Sequence, residues 1–279
     1  MNLSEIRNLL REEDIMLTKS LGQTFMHDQN QLCKIVGLAK LTAADHVIEI
    51  GPGLGSLTGL LLQTAGHVTA IETDRRLVKL LDERFGERGN FTLQHADAMK
   101  VVRKSKFDWL KHKLVANLPY SIASPLLIDL AASAGRPRGM IVTLQLEVVQ
   151  RLLAQSATKE YGVLTLLIGL YYAPGESFVI PRGSFYPEPN VDSGCIELLH
   201  RETPLLLPEL CPVFKKIVKR VFAERRKKMM KLLKRDWPEA AVVEAFDALG
   251  LDEKIRAERV TLEQFTELTQ RLSRAEIDE

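Results

Sequence analysis

The segment Glu49–Gly55 has the composition of a turn that brings the backbone close to a bound ligand. Its glycines occupy positions 51, 53 and 55, the acid Glu49 stands two residues before the first of them, and the segment lies between an apolar run and a helical pattern. Glycine lets the chain turn tightly against a ligand, and the free N–H groups of a helix N-terminus attract electron-rich atoms. Taken alone, the pattern is equally compatible with packing, so its meaning depends on its surroundings.

Two acidic residues end the next two apolar runs and supply that context. Glu72 lies 21 residues after Gly51, where a carboxylate can accept hydrogen bonds from both hydroxyls of a ribose. Asp97 ends the third run, where it can accept a hydrogen bond from an adenine amine. NAD enzymes usually carry Gly-x-Gly-x-x-Gly, whereas the spacing here is Gly-x-Gly-x-Gly. We therefore predict S-adenosylmethionine rather than NAD as the cofactor, bound by Gly51, Gly53, Glu72, Asp97 and Ala98.

Residues Asn117–Tyr120 follow the fourth apolar run, at the strand ends where α/β sheets bind ligands. The chemistry expected there is attack of an amine nitrogen on a sulfonium methyl group. The N6 lone pair of adenine is delocalised into the ring, and acceptors that bind the N6 hydrogens localise it. The Asn117 side-chain oxygen and the Leu118 carbonyl are suitable acceptors, Pro119 fixes the backbone, and Tyr120 offers a ring face to the base. These four residues are the predicted methyl-acceptor site.

A second aromatic candidate lies among prolines in the segment Ser184–Ser193. Prolines keep a segment extended and stiff, which suits the presentation of one ring at the mouth of a pocket. Phe185 is predicted to cover the other face of a base that has left its stack. The competing interpretation is that the ring simply packs in the interior, which is the more frequent role of an aromatic residue flanked by prolines.

Short apolar runs alternate with helical stretches over residues 46–155. The runs are His46–Ile50, His67–Ile71, Phe91–Gln94, Lys113–Ala116 and Met140–Leu144, and the helical stretches are Leu57–Thr64, Arg75–Phe85, Pro125–Ala134 and Glu147–Gln155. This alternation is typical of an α/β fold with a mostly parallel sheet covered on both faces. Two further strand-like runs, Gly162–Tyr172 and Cys195–His200, are predicted to complete the sheet. A helical pattern over residues 3–13 predicts an N-terminal helical arm within residues 1–28.

The charge distribution indicates a second, smaller domain. The net charge is only +2, but residues 215–235 hold eleven bases and one acid, against 27 bases and 35 acids elsewhere. Apolar residues in this region recur at helical spacing and are expected to face inward: Val218, Val221, Phe222, Met229, Leu232 and Leu233. We predict a Rossmann-like domain over 1–202 and a helical domain over 203–279. The bases Arg225, Arg226, Lys227 and Lys228 are predicted to bind RNA phosphates, the competing interpretation being a merely solvated helix surface.

Other features exclude several classes of protein. The three cysteines are far apart, without a CxxC pair or a histidine at ligand spacing, so neither a disulfide framework nor a metal site is predicted. The N-terminus carries no apolar signal region, and the longest apolar stretch, about 12 residues, is well below the ~20 residues of a membrane helix. We expect a monomeric, cytoplasmic protein.

The motifs together resemble the ribosomal RNA adenine N6,N6-dimethyltransferases of the KsgA type. They are Leu21–Phe25, Glu49–Gly55, Asn117–Tyr120 and Phe185–Ser193, and the likeness covers nearly the whole chain. It implies a class I S-adenosylmethionine-dependent methyltransferase fold with a small C-terminal helical domain. It also implies transfer of four methyl groups to two adjacent adenosines in the 3′-terminal hairpin loop of small-subunit (16S) rRNA, on the pre-30S particle during ribosome biogenesis.

The resemblance also implies which residues contact the cofactor, and four positions depart from the family's usual pattern. The implied contacts include Thr24, Met26 and Asn117, beside those named above. Thr24 and Met26 stand where the family usually has Asn and Leu. A threonine hydroxyl is shorter, which implies a weaker or water-bridged contact. Leu146 and Val163 stand where Lys and Arg are frequent, and both remove positive charge near the expected RNA surface, so they affect docking rather than chemistry.

Three alternatives remain open at this level. The related large-subunit rRNA adenine methyltransferases that confer macrolide resistance usually have Ile at the position of Leu118 and lack the proline-rich form of Phe185–Ser193. A non-catalytic RNA-binding or transcription factor on the same fold is disfavoured by the intact Glu72, Asp97 and Asn117. A small-molecule methyltransferase would leave the basic segment 215–235 without a purpose.

Overall fold

A seven-stranded sheet carries the predicted cofactor motif and the predicted acceptor segment. The computed structural model describes residues 1–16, 23–104 and 108–275, so Leu21 and Gly22 of the first motif lie outside the described residues. The strands are β1 Phe25–Met26, β2 His46–Ile50, β3 His67–Glu72, β4 Phe91–His95, β5 His112–Asn117, β6 Gly139–Gln145, β7 Tyr172–Ile180, β8 Phe185–Tyr186 and β9 Ser193–His200. The sheet order is β4-β3-β2-β5-β6-β9-β7, and β1 pairs with β8 separately.

The strands of this sheet are mostly parallel, in agreement with their apolar composition. Strands β2 to β6 run parallel to one another, and β9 runs antiparallel to both β6 and β7. Nearly continuous apolar runs suit strands that are buried on both faces; Val47, Ile48, Leu114 and Val115 are each completely buried. The mostly parallel α/β sheet predicted from the sequence is therefore confirmed.

Helices cover this sheet and also form the C-terminal part of the chain. They are α1 Leu3–Glu12, α2 Gln29–Ala39, α3 Ser56–Thr64, α4 Arg75–Phe85, α5 Ala98–Arg103, α6 Ala123–Ala132, α7 Leu146–Leu153, α8 Val163–Gly169, α9 Cys211–Phe222, α10 Met229–Leu233, α11 Glu239–Ala248 and α12 Leu262–Ala275. The helices predicted between residues 57 and 155 all form, with ends shifted by at most two residues. None of the helices in the described ranges is long and apolar enough to cross a membrane.

One predicted strand is wrong. The run Gly162–Tyr172 was expected to pair in the sheet, but it forms helix α8, and the edge strand is β7, which begins only at Tyr172. A short apolar run that is buried all round has no period that separates helix from strand. Here the backbone N–H of Gly162 donates to the Thr165 hydroxyl at 3.2 Å, a hydrogen bond that satisfies one of the free groups at a helix start.

The chain divides into two compact units. The first comprises Met1–Val149 with Tyr172–His200, and the second comprises Gln150–Tyr171 with Arg201–Glu279. The chain thus enters the second unit for the last time at Arg201, next to the boundary expected near residue 202. Residues 150–171, which were predicted to lie in the first domain, belong to the second unit. There the Tyr161 hydroxyl donates to the Val260 carbonyl at 2.9 Å.

Parallel strands bring their carboxyl ends to one edge of the first unit's sheet. The register places Ile50 beside Ile71, Glu72 beside His95, and Asn117 beside Thr143. The glycine turn, the two acidic strand ends and the acceptor segment consequently lie at the same edge, although they are up to 70 residues apart in the sequence.

Candidate active site

A cleft of about 320 Å³ opens at this edge of the first unit. Its wall includes every residue predicted to contact the cofactor: Thr24, Met26, Gly51, Gly53, Glu72, Asp97, Ala98 and Asn117. Leu118 and Pro119 of the acceptor segment also line it, whereas Tyr120 and Phe185 are not part of the lining. The structure therefore brings the predicted cofactor residues together, while their roles stay predictions.

The glycine turn packs directly against the acceptor segment. Gly51 has φ +69° and Gly53 has φ +59°, a backbone conformation that favours glycine. A Cβ atom on Gly51 would lie 3.3 Å from Cδ of Pro119, and one on Gly53 would lie 2.9 Å from the ring of Phe25. Side chains at these two positions would push against the cleft wall, so the glycines keep the floor of the cleft open.

Glu72 is a buried carboxylate held by the backbone. One of its oxygens accepts hydrogen bonds from the N–H groups of Thr73 and Asp74 at 2.7 and 2.9 Å, and the other accepts a longer one from Gly53 at 3.4 Å. Burial raises the pKa of Glu72, and these N–H groups oppose that rise. The side chain is thus fixed in the cleft wall, with the oxygen that faces Gly53 only weakly engaged.

Asp97 is also a helix cap. Its Oδ1 accepts hydrogen bonds from the N–H groups of Met99 and Lys100 at 2.9 and 3.4 Å, at the start of α5. Capping by an aspartate is a common structural role. The position of Asp97 at the cleft is therefore compatible with capping alone and with capping combined with cofactor binding. Its Oδ2 is the atom that can face a ligand.

Alanine substitutions of Glu72 and Asp97 test whether these acids bind the cofactor or have only a structural role. We expect Glu72→Ala to weaken S-adenosylmethionine binding by ~1–3 kcal/mol, since the ribose hydroxyls of the cofactor would then be buried without their acceptor. Asp97→Ala is expected to weaken binding less, because Asp97 is exposed. Isothermal calorimetry measures both, with Asp108→Ala as the control, since Asp108 caps a short helix through the Leu110 N–H away from the cleft. Unchanged affinity in both variants would overturn the assignment.

Glu49 is a second buried acid in the cleft wall, and its only predicted role was as part of the glycine motif. It is 1% exposed, and its Oε2 accepts a hydrogen bond from the Thr58 hydroxyl at 2.6 Å. Burial raises the pKa of Glu49 to about 8, and the nearby Glu72 acts in the same direction. At neutral pH the side chain is therefore mainly a neutral carboxylic acid.

The raised pKa makes stability depend on pH. Between the ordinary glutamate value of 4.5 and about 8, the unfolded chain loses this proton and the folded chain retains it. The free energy of unfolding therefore falls as pH rises through this window, by up to about 1.4 kcal/mol per pH unit. Glu49→Gln should remove this contribution. Urea unfolding between pH 5 and pH 8 tests it, with the exposed-acid variant Glu83→Gln as control, and an unchanged pH slope in Glu49→Gln would show that Glu49 is ionised throughout.

Asn117 ends β5 with an unused acceptor. Its Oδ1 is buried and has no hydrogen-bond partner among the residues that the structure describes. A buried polar atom of this kind calls for an explanation, because unsatisfied acceptors cost free energy. The following backbone is fixed, since the Leu118 N–H donates to the Thr143 carbonyl at 3.2 Å and the Pro119 carbonyl accepts from Ile122 at 3.1 Å.

The two aromatic candidates differ from each other in exposure. Tyr120 is half-buried, and its hydroxyl lies 2.6 Å from Oγ of Ser193. Phe185 is 2% exposed and packs in the core with Met26, Ile180 and Cys195. Its ring therefore presents no open face in this structure, in contrast to the expected position at the mouth of a pocket. Its base-stacking role stays a prediction that requires the ring to become exposed.

Some residues of the site were not predicted from the sequence. Leu32 and Ile35 of α2 line the cleft, and only their helical spacing hinted at an inward face. Ser193 contacts Tyr120, and the available signal was its place at the end of the proline-rich motif. The described residues contain no group of three or more His, Cys, Asp or Glu side chains suited to a metal ion.

The basic segment lies in the second unit and is built as the apolar pattern predicted. Val218, Val221, Met229, Leu232 and Leu233 are at most 1% exposed, and Phe222 is partly buried. The four predicted RNA-binding bases differ among themselves. Arg225 donates to the Lys159 carbonyl at 2.9 Å and pairs with Glu258 at 3.6 Å, and Lys227 pairs with Glu224 at 2.5 Å.

Lys216 lies over the ring of Trp237, and the other bases of this segment, with Arg226 and Lys228, fall into two groups. Several pair with acids inside the second unit: Arg220 with Asp236, Arg235 with Glu224, and Lys234 with Glu239. Five are exposed and, within the described ranges, have no acid or ring as partner: Lys215, Lys219, Arg226, Lys228 and Lys231. Arg226 and Lys228 are thus the members of the predicted set that are available to a phosphate.

Comparisons with known proteins agree on one family. The family model described as "Ribosomal RNA adenine dimethylase" matches residues 16–274. The Ribosomal RNA small subunit methyltransferase A of Lactiplantibacillus plantarum is 37% identical over 286 residues, which cover 99% of this chain and 97% of that protein. The crystal structure of 23S rRNA methyltransferase ErmE is 27% identical with a TM-score of 0.67, covering 89% of this chain and 99% of that one. A dimethyladenosine transferase from Plasmodium falciparum has a TM-score of 0.77 at 23% identity, over 90% of this chain and 98% of that one, and it shows the fold alone.

Proposed function

Since this chain belongs to the ribosomal RNA adenine dimethylase family, we propose that it dimethylates the N6 amines of two adjacent adenosines in small-subunit (16S) rRNA. The target is the 3′-terminal hairpin loop on the pre-30S particle, and S-adenosylmethionine is the methyl donor. The relatives named for the small subunit, at 35–37% identity over 92–98% of their lengths, support this subunit over the large one. Action as a monomer in the cytoplasm stays a prediction.

The observation that carries the proposal is the unpaired Oδ1 of Asn117 in the wall of the cleft. An acceptor that is buried without a partner is satisfied when a donor group binds beside it. The exocyclic amine of an adenine is such a donor. No other residue of the acceptor segment has a side chain able to accept a hydrogen bond at the cleft wall, because Leu118 and Pro119 are apolar.

The residues around the cleft also fit the proposed cofactor. Gly51 and Gly53 leave a space that Cβ atoms would fill, and the buried carboxylate of Glu72 suits the two hydroxyls of a ribose. Asp97 and Ala98 would hold the adenine, and Thr24 and Met26 would close the opposite wall. The bound cofactor supplies an electrophilic methyl group.

The chain's own part in the reaction is to prepare the nucleophile. In the first of the two transfers to each nitrogen, acceptance of one N6 hydrogen by Asn117 and of the other by the Leu118 carbonyl pulls the nitrogen away from planarity and localises its lone pair. Pro119 restricts the backbone that aims both acceptors, and Tyr120 provides a stacking surface for the base. No ionised base is required, because the methylated ammonium is acidic enough to lose its proton to water.

The proposal is tested on rRNA from cells with and without the gene. Mass spectrometry of the 3′ end of small-subunit rRNA should find two adjacent N6,N6-dimethyladenosines only where the gene is present, and purified protein should restore them in vitro. Dimethyladenosine that is lost from large-subunit rRNA instead would assign the other branch of the family. Unchanged modification of both RNAs would indicate a non-catalytic role.

A further inference from the structure

The hydroxyl of Tyr120 contacts a residue that lies 73 positions away in the sequence. Its oxygen is 2.6 Å from Oγ of Ser193, and Ser193 is completely buried. We propose that Ser193 is a positioning residue for methyl transfer, an inference that rests on the proposed function. Ser193 holds the ring of Tyr120 in the orientation in which the target adenine stacks on that ring.

Ser193 is well suited to act as a fixed anchor. It begins β9, where its backbone pairs with Gln145 of β6 on one side and with Ile180 of β7 on the other. The preceding residue is fixed as well, because the Asp192 carboxylate accepts from the Arg182 N–H at 2.9 Å and the Asp192 carbonyl accepts from the Leu146 N–H at 3.0 Å. The hydroxyl of Ser193 therefore has little freedom to follow a moving ring.

Tyr120 needs an anchor of this kind. It is half-buried, and it lies in a turn between β5 and α6 rather than within a strand or helix. Thr24, a residue of the cleft wall, is the second polar group that interacts with its hydroxyl. The hydroxyl is thus held between β9 and the segment before β1, and a ring restrained at its far end can rotate less about its two side-chain torsions.

The contact with Tyr120 gives a role to Ser193, the last residue of the proline-rich motif Phe185–Ser193. From the sequence, a role was predicted only for Phe185, at the beginning of that motif. In the structure Phe185 packs in the core, and Ser193, at the other end, is the residue that reaches the acceptor segment.

A double-mutant cycle on purified protein tests the inference. Tyr120→Phe and Ser193→Ala both delete the hydrogen bond between the two hydroxyls and keep the ring, and Tyr120→Phe also removes the contact with Thr24. Each should lower kcat for methyl transfer to RNA roughly tenfold, the rate equivalent of one neutral hydrogen bond. The double variant should be no slower than Tyr120→Phe alone, because Ser193 has no further effect once the Tyr120 hydroxyl is gone. The cofactor Kd should stay at the wild-type value in all three.

Tyr172→Phe is the matched control. Tyr172 also donates a buried hydrogen bond in the first unit, to the Pro137 carbonyl at 2.6 Å, but it lies at the opposite end of the sheet from Asn117. This variant should lose stability and keep its kcat. Wild-type kcat in Ser193→Ala, or independent losses that multiply in the double variant, would overturn the positioning role. A wild-type protein that methylates no RNA would instead contradict the proposed function.

Discussion

Replacement of Asn117 by alanine is expected to lower the rate of methyl transfer by about 100- to 1,000-fold, the cost of removing one preorganised hydrogen-bonding group at a reacting centre. The acceptor is unpaired before any substrate binds, so no internal hydrogen bond has to be broken for it to accept one from the amine. RNA affinity should barely change, because affinity depends mainly on phosphate contacts. Single-turnover transfer of labelled methyl groups to small-subunit rRNA measures the rate, and filter binding measures the affinity.

Asn90→Ala is the control for this experiment. Asn90 is an asparagine of the same unit that donates to the Leu62 carbonyl at 3.2 Å, and it lies just before β4, at the other end of the strands. Its loss should change stability rather than rate. An Asn117→Ala protein that dimethylates at near the wild-type rate would show that the amine is activated elsewhere.

Removal of the unpaired bases of the second unit is expected to change the salt dependence of RNA binding. The triple variant with glutamine at Arg226, Lys228 and Lys231 should bind RNA more weakly and flatten the log–log salt slope by about 0.7–0.9 for each phosphate that the protein no longer neutralises. These side chains have no acid or ring as partner among the described residues. They can therefore release counterions from RNA without first breaking an internal ion pair. RNA affinity across a salt series measures the effect.

A second triple variant provides a control of equal charge. Glutamine at Lys227, Lys234 and Arg235 also removes one arginine and two lysines, but these three are paired with Glu224 or Glu239. Its slope should change less, and cofactor affinity should stay intact in both variants. Equal slopes in the two triples would show that pairing does not decide which bases contact phosphate. If the log–log salt plots of the wild type and both triple variants were parallel, the RNA-binding surface would lie elsewhere.

The fold and most of the cleft were accessible from the sequence because their signals are local. An apolar run that ends in glycine, glutamate or asparagine predicts a buried parallel strand and the residue at its carboxyl end. Parallel strands then bring Gly51, Glu72, Asp97 and Asn117 to one edge by geometry alone. The amphipathic pattern of residues 218–233 likewise predicted its buried side chains, because helical periodicity is set by neighbours three and four positions away.

Other features depended on partners that are distant in the sequence. Only the folded chain shows that Gly162–Tyr172 supplies helix α8, that Phe185 packs beside Met26 and Cys195, and that Arg225 binds the Lys159 carbonyl. Likewise, the contact between Tyr120 and Ser193 and the unpaired oxygen of Asn117 follow from how β5, β6 and β9 lie side by side. Composition and spacing identify which residue types can do chemistry. Burial and hydrogen-bond satisfaction decide which of them are available for it, and both are properties of the packed molecule.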